Sequence, residues 1–322
     1  MLTKNVQEVP FEELNGQKRK KGDFTLIKNL AELFEKASQA TEAYVSVAVA
    51  HDPHVLEAVW MASEAGIANF ILVGDEEKIR EIAKELKMDC SKFKIIHEVD
   101  EELACAIAVL QVKYGRAMAL MKGLVEPSVM MKAILNLERG IRTESKLTHL
   151  AVFEVSAYHK LLFVTDAAIS IAPDLKEKQE IIQNAVDAVT NLGISKPKVA
   201  LLAAVEKVNK NMPVTLEYKE LMEMAMKGEI TGCILDGPLA LDNAVSYESA
   251  ENKGITSEVV GDADILVCPD IEAGNILYKS LVFLASAKSG GVVLGAKRPI
   301  ILTSGMDSNE SKLISIAMGV LM

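Results

Sequence analysis

Short, nearly uninterrupted apolar runs alternate with segments of helical period along most of the chain, and this rhythm limits the folds open to it. Runs of strand type occupy residues 43–50, 69–73, 93–97 and 117–121, and residues 56–65 and 76–86 carry apolar side chains at helical spacing. A strand that is apolar on both faces must be covered on both, so the pattern predicts a parallel sheet flanked by helices. The rhythm breaks at residues 149–155 and 161–165, two strand-like runs separated only by Ser156-Ala157-Tyr158-His159-Lys160. That gap is too short for a crossover helix and predicts an antiparallel hairpin.

Alternation then resumes with a helix over 175–192, a strand over 199–205, a helix over 216–227, a strand over 233–235 and a helix over 240–252. A strand over 265–268, a helix from Gly274 to about Ser286, strands over 291–294 and 299–303 and a last helix from Asp307 complete the chain. Near the other end, an amphipathic helix is expected from Asp23 to about Ala40, preceded by a polar leader over residues 1–24. At 322 residues the chain exceeds the size at which single cores stop growing. We therefore expect two α/β domains, residues 1–147 together with 296–322, and residues 148–295, with the last strand and helix completing the first domain's sheet.

Composition narrows the function. A formal charge of −10 argues against nucleic acid or an anionic membrane as partner, while leaving room for a local basic pocket. The four cysteines (Cys90, Cys105, Cys233, Cys268) form no C-x-x-C pair and have no histidine at metal-ligand spacing, so they read as small buried residues, and no metal site is expected. The first twenty residues lack the apolar core of a signal peptide, and the longest apolar runs, such as residues 104–112, are too short to span a bilayer. A cytoplasmic protein is expected.

Ligands of open α/β sheets bind outside the carboxyl ends of the strands, and the residues there are informative. Lys122-Gly123 follow one strand, Thr165 runs into Asp166, and Asp236-Gly237-Pro238 with Asp242 follow another. Asp270 with Gly274-Asn275, and Ser304-Gly305-Met306-Asp307-Ser308, follow two more. Such residues also make turns and helix caps; it is their recurrence after several strands that points to a site. Ser304 and Ser308, flanking Gly305 where a strand enters a helix, suit an anion. No G-x-x-x-x-G-K-[ST] phosphate loop and no G-x-G-x-x-G after a strand is present, which excludes the usual ATPase and dinucleotide sites.

At these residues the chain resembles the phosphate acetyltransferase and phosphate butyryltransferase family. Met121-Lys122-Gly123 with Met131-Lys132-Ala133-Ile134-Leu135, Val152-Phe153-Glu154-Val155 and Leu162 to Ala168 carry the likeness. So do Asp236-Gly237-Pro238-Leu239-Ala240-Leu241-Asp242, Ala263 to Asn275, and Gly295-Ala296-Lys297-Arg298-Pro299 through Ser304. The run from Gly237 to Asp242 is nearer the butyryl branch than the acetyl branch. The resemblance implies that acyl-CoA and inorganic phosphate are interconverted with acyl phosphate and CoA. It also implies two doubly wound α/β domains of isocitrate- and isopropylmalate-dehydrogenase-like topology, a cleft between them, a homodimer, and coenzyme A as substrate with no permanently bound cofactor.

It further implies that CoA thiolate attacks the acyl carbonyl directly, with Ser304 stabilising the oxyanion. Two departures bear on this: Gly305 stands where the family has Arg, and Ser311 where the acetyl branch has an Asp thought to act as base. Asp307 and Glu310 are alternative bases by proximity, and Arg298, Lys297 or Lys279 are alternative sources of positive charge. Lys132 stands where the acetyl branch places Arg, and Lys122, Ser128, Lys132, Gly274, Asn275 and Ser308 are candidate ligands of CoA or phosphate. Three other readings compete. A metal- and NAD-dependent dehydrogenase lacks its arginine set, since Arg298 is the lone arginine of the second half. An acyl-carrier-protein phosphotransacylase needs a basic docking surface. A CoA-binding homologue with reduced or lost catalysis is favoured only by Gly305.

Overall fold

A computed structural model describes residues 27–40, 43–302 and 307–322. In chain order its elements are α1 (Leu30–Ser38), β1 (Tyr44–Ala48), α2 (Pro53–Glu64), β2 (Asn69–Gly74), α3 (Glu76–Glu85), β3 (Lys94–His97), α4 (Glu101–Lys113), β4 (Ala119–Lys122) and α5 (Pro127–Ile134). There follow β5 (Thr148–Glu154), β6 (Leu162–Thr165), α6 (Leu175–Asn191), β7 (Lys198–Leu202), α7 (Pro213–Met226), β8 (Ile234–Leu239), α8 (Leu241–Val245) and α9 (Tyr247–Asn252). The last are β9 (Ile265–Val267), α10 (Ile271–Phe283), β10 (Lys288–Leu294), β11 (Ile300–Ile301) and α11 (Asn309–Leu321). They form two compact units: Ala37–Thr143 with Ala296–Val320, and residues 27–36 with Glu144–Gly295 and Leu321–Met322.

In the first unit the strand order is β3-β2-β1-β4-β11, and every described pair is parallel. The chain builds outward from β1 to β3, then returns to the other side of β1 for β4 and β11. Right-handed crossovers running in opposite directions put helices on opposite faces of the sheet, and β1 and β4 flank the point of reversal. Side chains of the central strands (Val45, Val47, Phe70, Leu72, Leu120, Met121, Ile300, Ile301) are fully buried, each contributing about 1.5–3 kcal/mol by leaving water. The helices begin where acidic caps start them: Asp52 Oδ1 accepts from Val55 N–H at 2.9 Å ahead of Pro53, and Asp75 and Asp100 cap α3 and α4 in the same way. β11 pairs with β4, Ile300 opposite Leu120 and Ile301 opposite Met121, so the C-terminal strand completes this sheet.

The second unit has the order β10-β5-β6-β9-β7-β8. β5 and β6 are the expected antiparallel hairpin, Val152 opposite Phe163, and β10 adds antiparallel to the far side of β5. The remaining pairs are parallel, so this sheet is mixed rather than wholly parallel. β7 and β9 flank its own reversal of order, because the chain goes from β7 out to β8 and then back to β9.

Several expected boundaries shift for physical reasons. α1 begins at Leu30, whose N–H donates to the Glu154 carboxylate at 3.0 Å, and Asp23 lies outside the described residues. β7 ends at Leu202, short of Val205. β8 runs through Asp236-Gly237-Pro238 to Leu239 instead of stopping at Leu235, its register against β7 shifting between Ala200 and Leu202. The helix expected over 240–252 is two, because Ser246 is extended (φ −134°, ψ 116°), ends α8 and caps α9. α10 starts at Ile271 behind the Asp270 cap, not at Gly274, and α11 starts at Asn309.

The parallel part of the second sheet is stitched by charge. Asp262 receives Lys198 at 2.6 Å, Lys160 at 2.9 Å and His159 at 2.7 Å, while Lys160 also reaches Asp264 at 2.7 Å. Burial alone pushes the Asp262 carboxyl up, but the hydrogen bonds from Lys198, Lys160 and His159 outweigh it and hold the group far below the ordinary carboxylate range. A carboxyl whose folded pKa lies below its unfolded value of about 3.9 adds stability above that pH and loses it as the pH falls through the folded value. Asp262→Asn is therefore expected to cost about 1–3 kcal/mol at pH 7 in urea unfolding, with the gap narrowing below about pH 4. Equal stability at pH 7 would remove the network from the account.

Candidate active site

Each unit has a cavity at the carboxyl ends of the strands that flank its reversal of order, where doubly wound sheets bind ligands. The cavity of the first unit, about 310 Å³, is lined by residues after β1 (Asp52, His54, Val55) and after β4 (Lys122 to Glu126), with Glu101 and Lys312. That of the second unit, about 890 Å³, lies beyond β7 and β9. Leu202, Ala203, Pro213, Val214, Cys268, Pro269 and Leu277 give it mainly apolar walls, and Asp174, Lys178, Glu217 and Asp270 add charge.

In the first unit, Lys122 and Gly123 form part of the cavity. The Lys122 ammonium donates to the carbonyls of Gly123 at 3.0 Å and Val125 at 3.1 Å, which fixes it at the strand end. Gly123 is required by close approach: a Cβ there would lie 2.2 Å from the Val49 carbonyl oxygen. Ser128 sits exposed in the first turn of α5. Lys132, one turn on, is 71% exposed and paired with Glu102 at 3.0 Å, so its geometry is that of a solvated ion pair. Asp307 is half-buried and Glu310 exposed. Ser308 accepts from Ser311 N–H at 3.1 Å, capping α11. Ser304 and Gly305 lie outside the described residues.

In the second unit the structure brings Thr165, Asp166, Asp270, Gly274 and Asn275 together. Thr165 Oγ1 donates to the His149 carbonyl at 2.8 Å. Asp166, only 3% exposed, accepts three backbone N–H bonds at 2.9 Å, from Ala168 and Ile169 on Oδ1 and from His149 on Oδ2. Its lone pairs are thus committed to shaping the loop. Gly274 does not open α10. It lies in the helix where a Cβ would fall 2.3 Å from the Asp166 carbonyl oxygen, and Asn275 Nδ2 donates to the Ala167 carbonyl at 3.3 Å. These two residues clamp the loop after β6, and the helix start expected at Gly274 lies instead at Ile271. Asp270 occupies that start, accepting from Ala273 N–H at 2.8 Å and lining the large cavity.

The remaining candidates stand apart from this cluster. Asp236, Gly237 and Pro238 are strand residues rather than a loop after one, Asp236 Oδ1 accepting from Gly237 N–H at 2.8 Å. Asp242 is half-exposed, held by the Ser249 hydroxyl at 2.6 Å and Lys253 at 3.1 Å, which keep its carboxyl below the ordinary range. Lys279 is exposed on α10, its ammonium 5.6 Å from the Tyr278 ring centre. Two lysines that sequence reasoning missed line the cavities: Lys178, donating to the Pro173 carbonyl at 2.6 Å and to Glu217 at 2.7 Å, and Lys312, 2% exposed. Helical spacing offers a signal for Lys312, since it shares a face with the buried Ile316.

Burial raises the pKa of all four thiols. Burial pushes Cys105 and Cys233 up to about 11 and, aided by Asp270 and Asp166, Cys268 up to about 12. Cys90 is also raised, mainly by burial. Among the described residues no group of three His, Cys, Asp or Glu side chains is placed to hold a metal, and no helix is long and apolar enough to cross a membrane. Asp166→Asn keeps the shape but loses one acceptor oxygen, so we expect it to lower stability by about 1–3 kcal/mol. Thermal unfolding checks this, and an unchanged melting temperature would free the carboxylate for a chemical role.

Comparison with known proteins fits this architecture. The family described as phosphate acetyl/butaryl transferase matches residues 29–104 and 101–320. A phosphate butyryltransferase from Clostridium acetobutylicum is 45% identical over 296 residues, 92% of this chain and 98% of that protein. The crystal structure of a branched-chain phosphotransacylase from Enterococcus faecalis V583 superposes with a TM-score of 0.77 at 34% identity, covering 87% of this chain and 98% of that one. A 4-hydroxythreonine-4-phosphate dehydrogenase from Klebsiella pneumoniae, 13% identical, shares the fold with a TM-score of 0.57 over 87% of this chain and 100% of its own. With matches along nearly its whole length, the chain belongs to the phosphate acetyl/butyryl transferase family and is a phosphate acyltransferase.

Proposed function

We propose that the enzyme interconverts butyryl or branched short-chain acyl-CoA and inorganic phosphate with the acyl phosphate and CoA, by direct attack of the CoA thiolate on the acyl phosphate. The observation that supports direct attack is the burial of the thiols: Cys105 is 0% and Cys268 4% exposed, and burial raises the pKa of all four cysteines. Thiols raised in this way are poorly suited to act as the enzyme's own nucleophile. The sulfur nucleophile is left to CoA, whose thiol, with a pKa of about 8.5, is partly ionised there and gains from a nearby proton acceptor. Asp307 and Glu310, at the start of α11, are the proposed acceptors, in place of the carboxylate that Ser311 replaces. Ser304 is proposed to donate to the tetrahedral oxyanion, a contact worth about 3–4 kcal/mol.

The acyl chain and the pantetheine arm are assigned to the apolar cavity of the second unit, which is large enough for a ligand of this kind. Lys132, paired with Glu102, is a weaker candidate for the CoA phosphates than its sequence position suggests. The substrates of two full-length relatives, a butyryltransferase and a branched-chain phosphotransacylase, support the short-chain assignment. Four free cysteines suit a reducing compartment, and we place the enzyme in the cytoplasm, as a homodimer with no permanently bound cofactor.

Thiol release from acetyl-, butyryl- and branched-chain acyl-CoA, with and without inorganic phosphate, tests the activity. Phosphate-dependent release, fastest with the butyryl or branched substrate, is expected. CoA binding without release would instead mark Gly305 as the signature of lost catalysis. Ser304→Ala is expected to lower turnover by about tenfold or more with little change in stability; wild-type turnover would remove Ser304 from the mechanism.

A further inference from the structure

We infer that the cavity of the first unit is the subsite for the transferred phosphate, and that buried Lys312 is its principal cationic ligand. This rests on the acyltransferase reading above.

Lys312 is the residue of the cavity whose position serves folding least. It is 2% exposed and lines the cavity wall, yet among the described residues its ammonium meets no hydrogen-bond or ion-pair partner. The side chain is almost wholly withdrawn from bulk water, which is costly for an ammonium without a counter-charge. Its place on the helix adds to that cost. Lys312 N–H donates to the Ser308 carbonyl at 3.1 Å, which puts the side chain one turn from the start of α11, where the helix dipole disfavours a cation. A residue retained against both penalties is explained by an anion that the protein itself does not contain.

The rest of the cavity suits a small oxyanion. Lys122 spends two ammonium hydrogens on the Gly123 and Val125 carbonyls and keeps a third. The starts of α2, α4 and α5 all contribute lining residues, so their positive ends turn toward the same space. Three carboxylates also line it. Asp52 is turned onto the Val55 N–H at 2.9 Å, and Glu101 and Glu126 are exposed. Acid therefore occupies the rim and a helix cap, while the buried charge is positive. A volume of about 310 Å³ is ample for phosphate and small for CoA.

Steady-state kinetics and thermal unfolding of the full chain and of Lys312→Met decide the matter. Met keeps the length and removes the charge. The expected result is a KM for inorganic phosphate raised by roughly tenfold to a hundredfold, the loss of a charge-assisted hydrogen bond. The KM for acyl-CoA should stay within about twofold. Without ligand the variant should melt at the same or a higher temperature, and the stabilisation that added phosphate gives the wild-type chain should disappear. A rise in the acyl-CoA KM alone would assign the lysine to the CoA phosphates and overturn the proposal. So would unchanged KM values, or unchanged stabilisation by phosphate. Should the Met variant fail to fold, Lys312→Arg decides: it keeps the charge with altered geometry, and a shifted phosphate KM supports the subsite while an unshifted one overturns it. A wild-type chain that phosphate stabilises through Lys312 but that releases no thiol would sink the acyltransferase reading and leave the anion site standing.

Discussion

The parallel pairing of β11 with β4 is the constraint on which the first unit's site depends. Ile300 and Ile301 lie opposite Leu120 and Met121, about 180 residues away in sequence, and all four side chains are fully buried. That pairing closes the loop of chain containing Glu144–Gly295 of the second unit, and it sets the start of α11 near the strand end that carries Lys122 and Gly123. Because the C-terminal helix is anchored by a strand and by the buried Ile314, Ile316, Ala317 and Met318, Lys312 is fixed in the cavity rather than free to snorkel into water. Without the returning strand, the cavity beside β1 would keep Lys122 but lose Lys312.

Charge in the two units is handled in opposite ways. In the second unit the buried or half-buried charges are satisfied internally: Asp262 by three cationic partners, Lys178 by Glu217 and a carbonyl, Asp166 by three backbone N–H groups. These groups stiffen loops and strands, and their electrostatics is spent on structure. In the first unit the buried Lys312 has no partner for its ammonium among the described residues. An enzyme that moves an acyl group between a thiol and phosphate needs a place of the second kind, where the favourable interaction is completed only by substrate.

Much of this was legible in the sequence. The strands of both units and the antiparallel hairpin follow from the period of the apolar runs, because strands buried on both faces leave little choice of residue, whereas the return of the last strand rests on the family resemblance. The misreadings are instructive. Asp236-Gly237-Pro238 has the composition of a turn, yet the backbone stays extended to Leu239 because a register shift against β7 accommodates it. Gly274 resembles a helix start, but the glycine answers a contact with the Asp166 carbonyl that is remote in sequence. Lys312 shares a helix face with Ile316, but a lysine is ordinarily solvated, and tertiary packing confirms it as buried. Local chemistry could be read from the chain; close approaches between distant segments could not.

The central claim is that the enzyme transfers the acyl group directly between thiol and phosphate, offering charge and hydrogen bonds but no covalent nucleophile. Isotope exchange between labelled CoA and butyryl-CoA tests it most directly. Direct transfer predicts that label enters butyryl-CoA when phosphate is present and that none enters when it is rigorously removed. Exchange at a comparable rate without phosphate would require an acyl-enzyme and contradict the account.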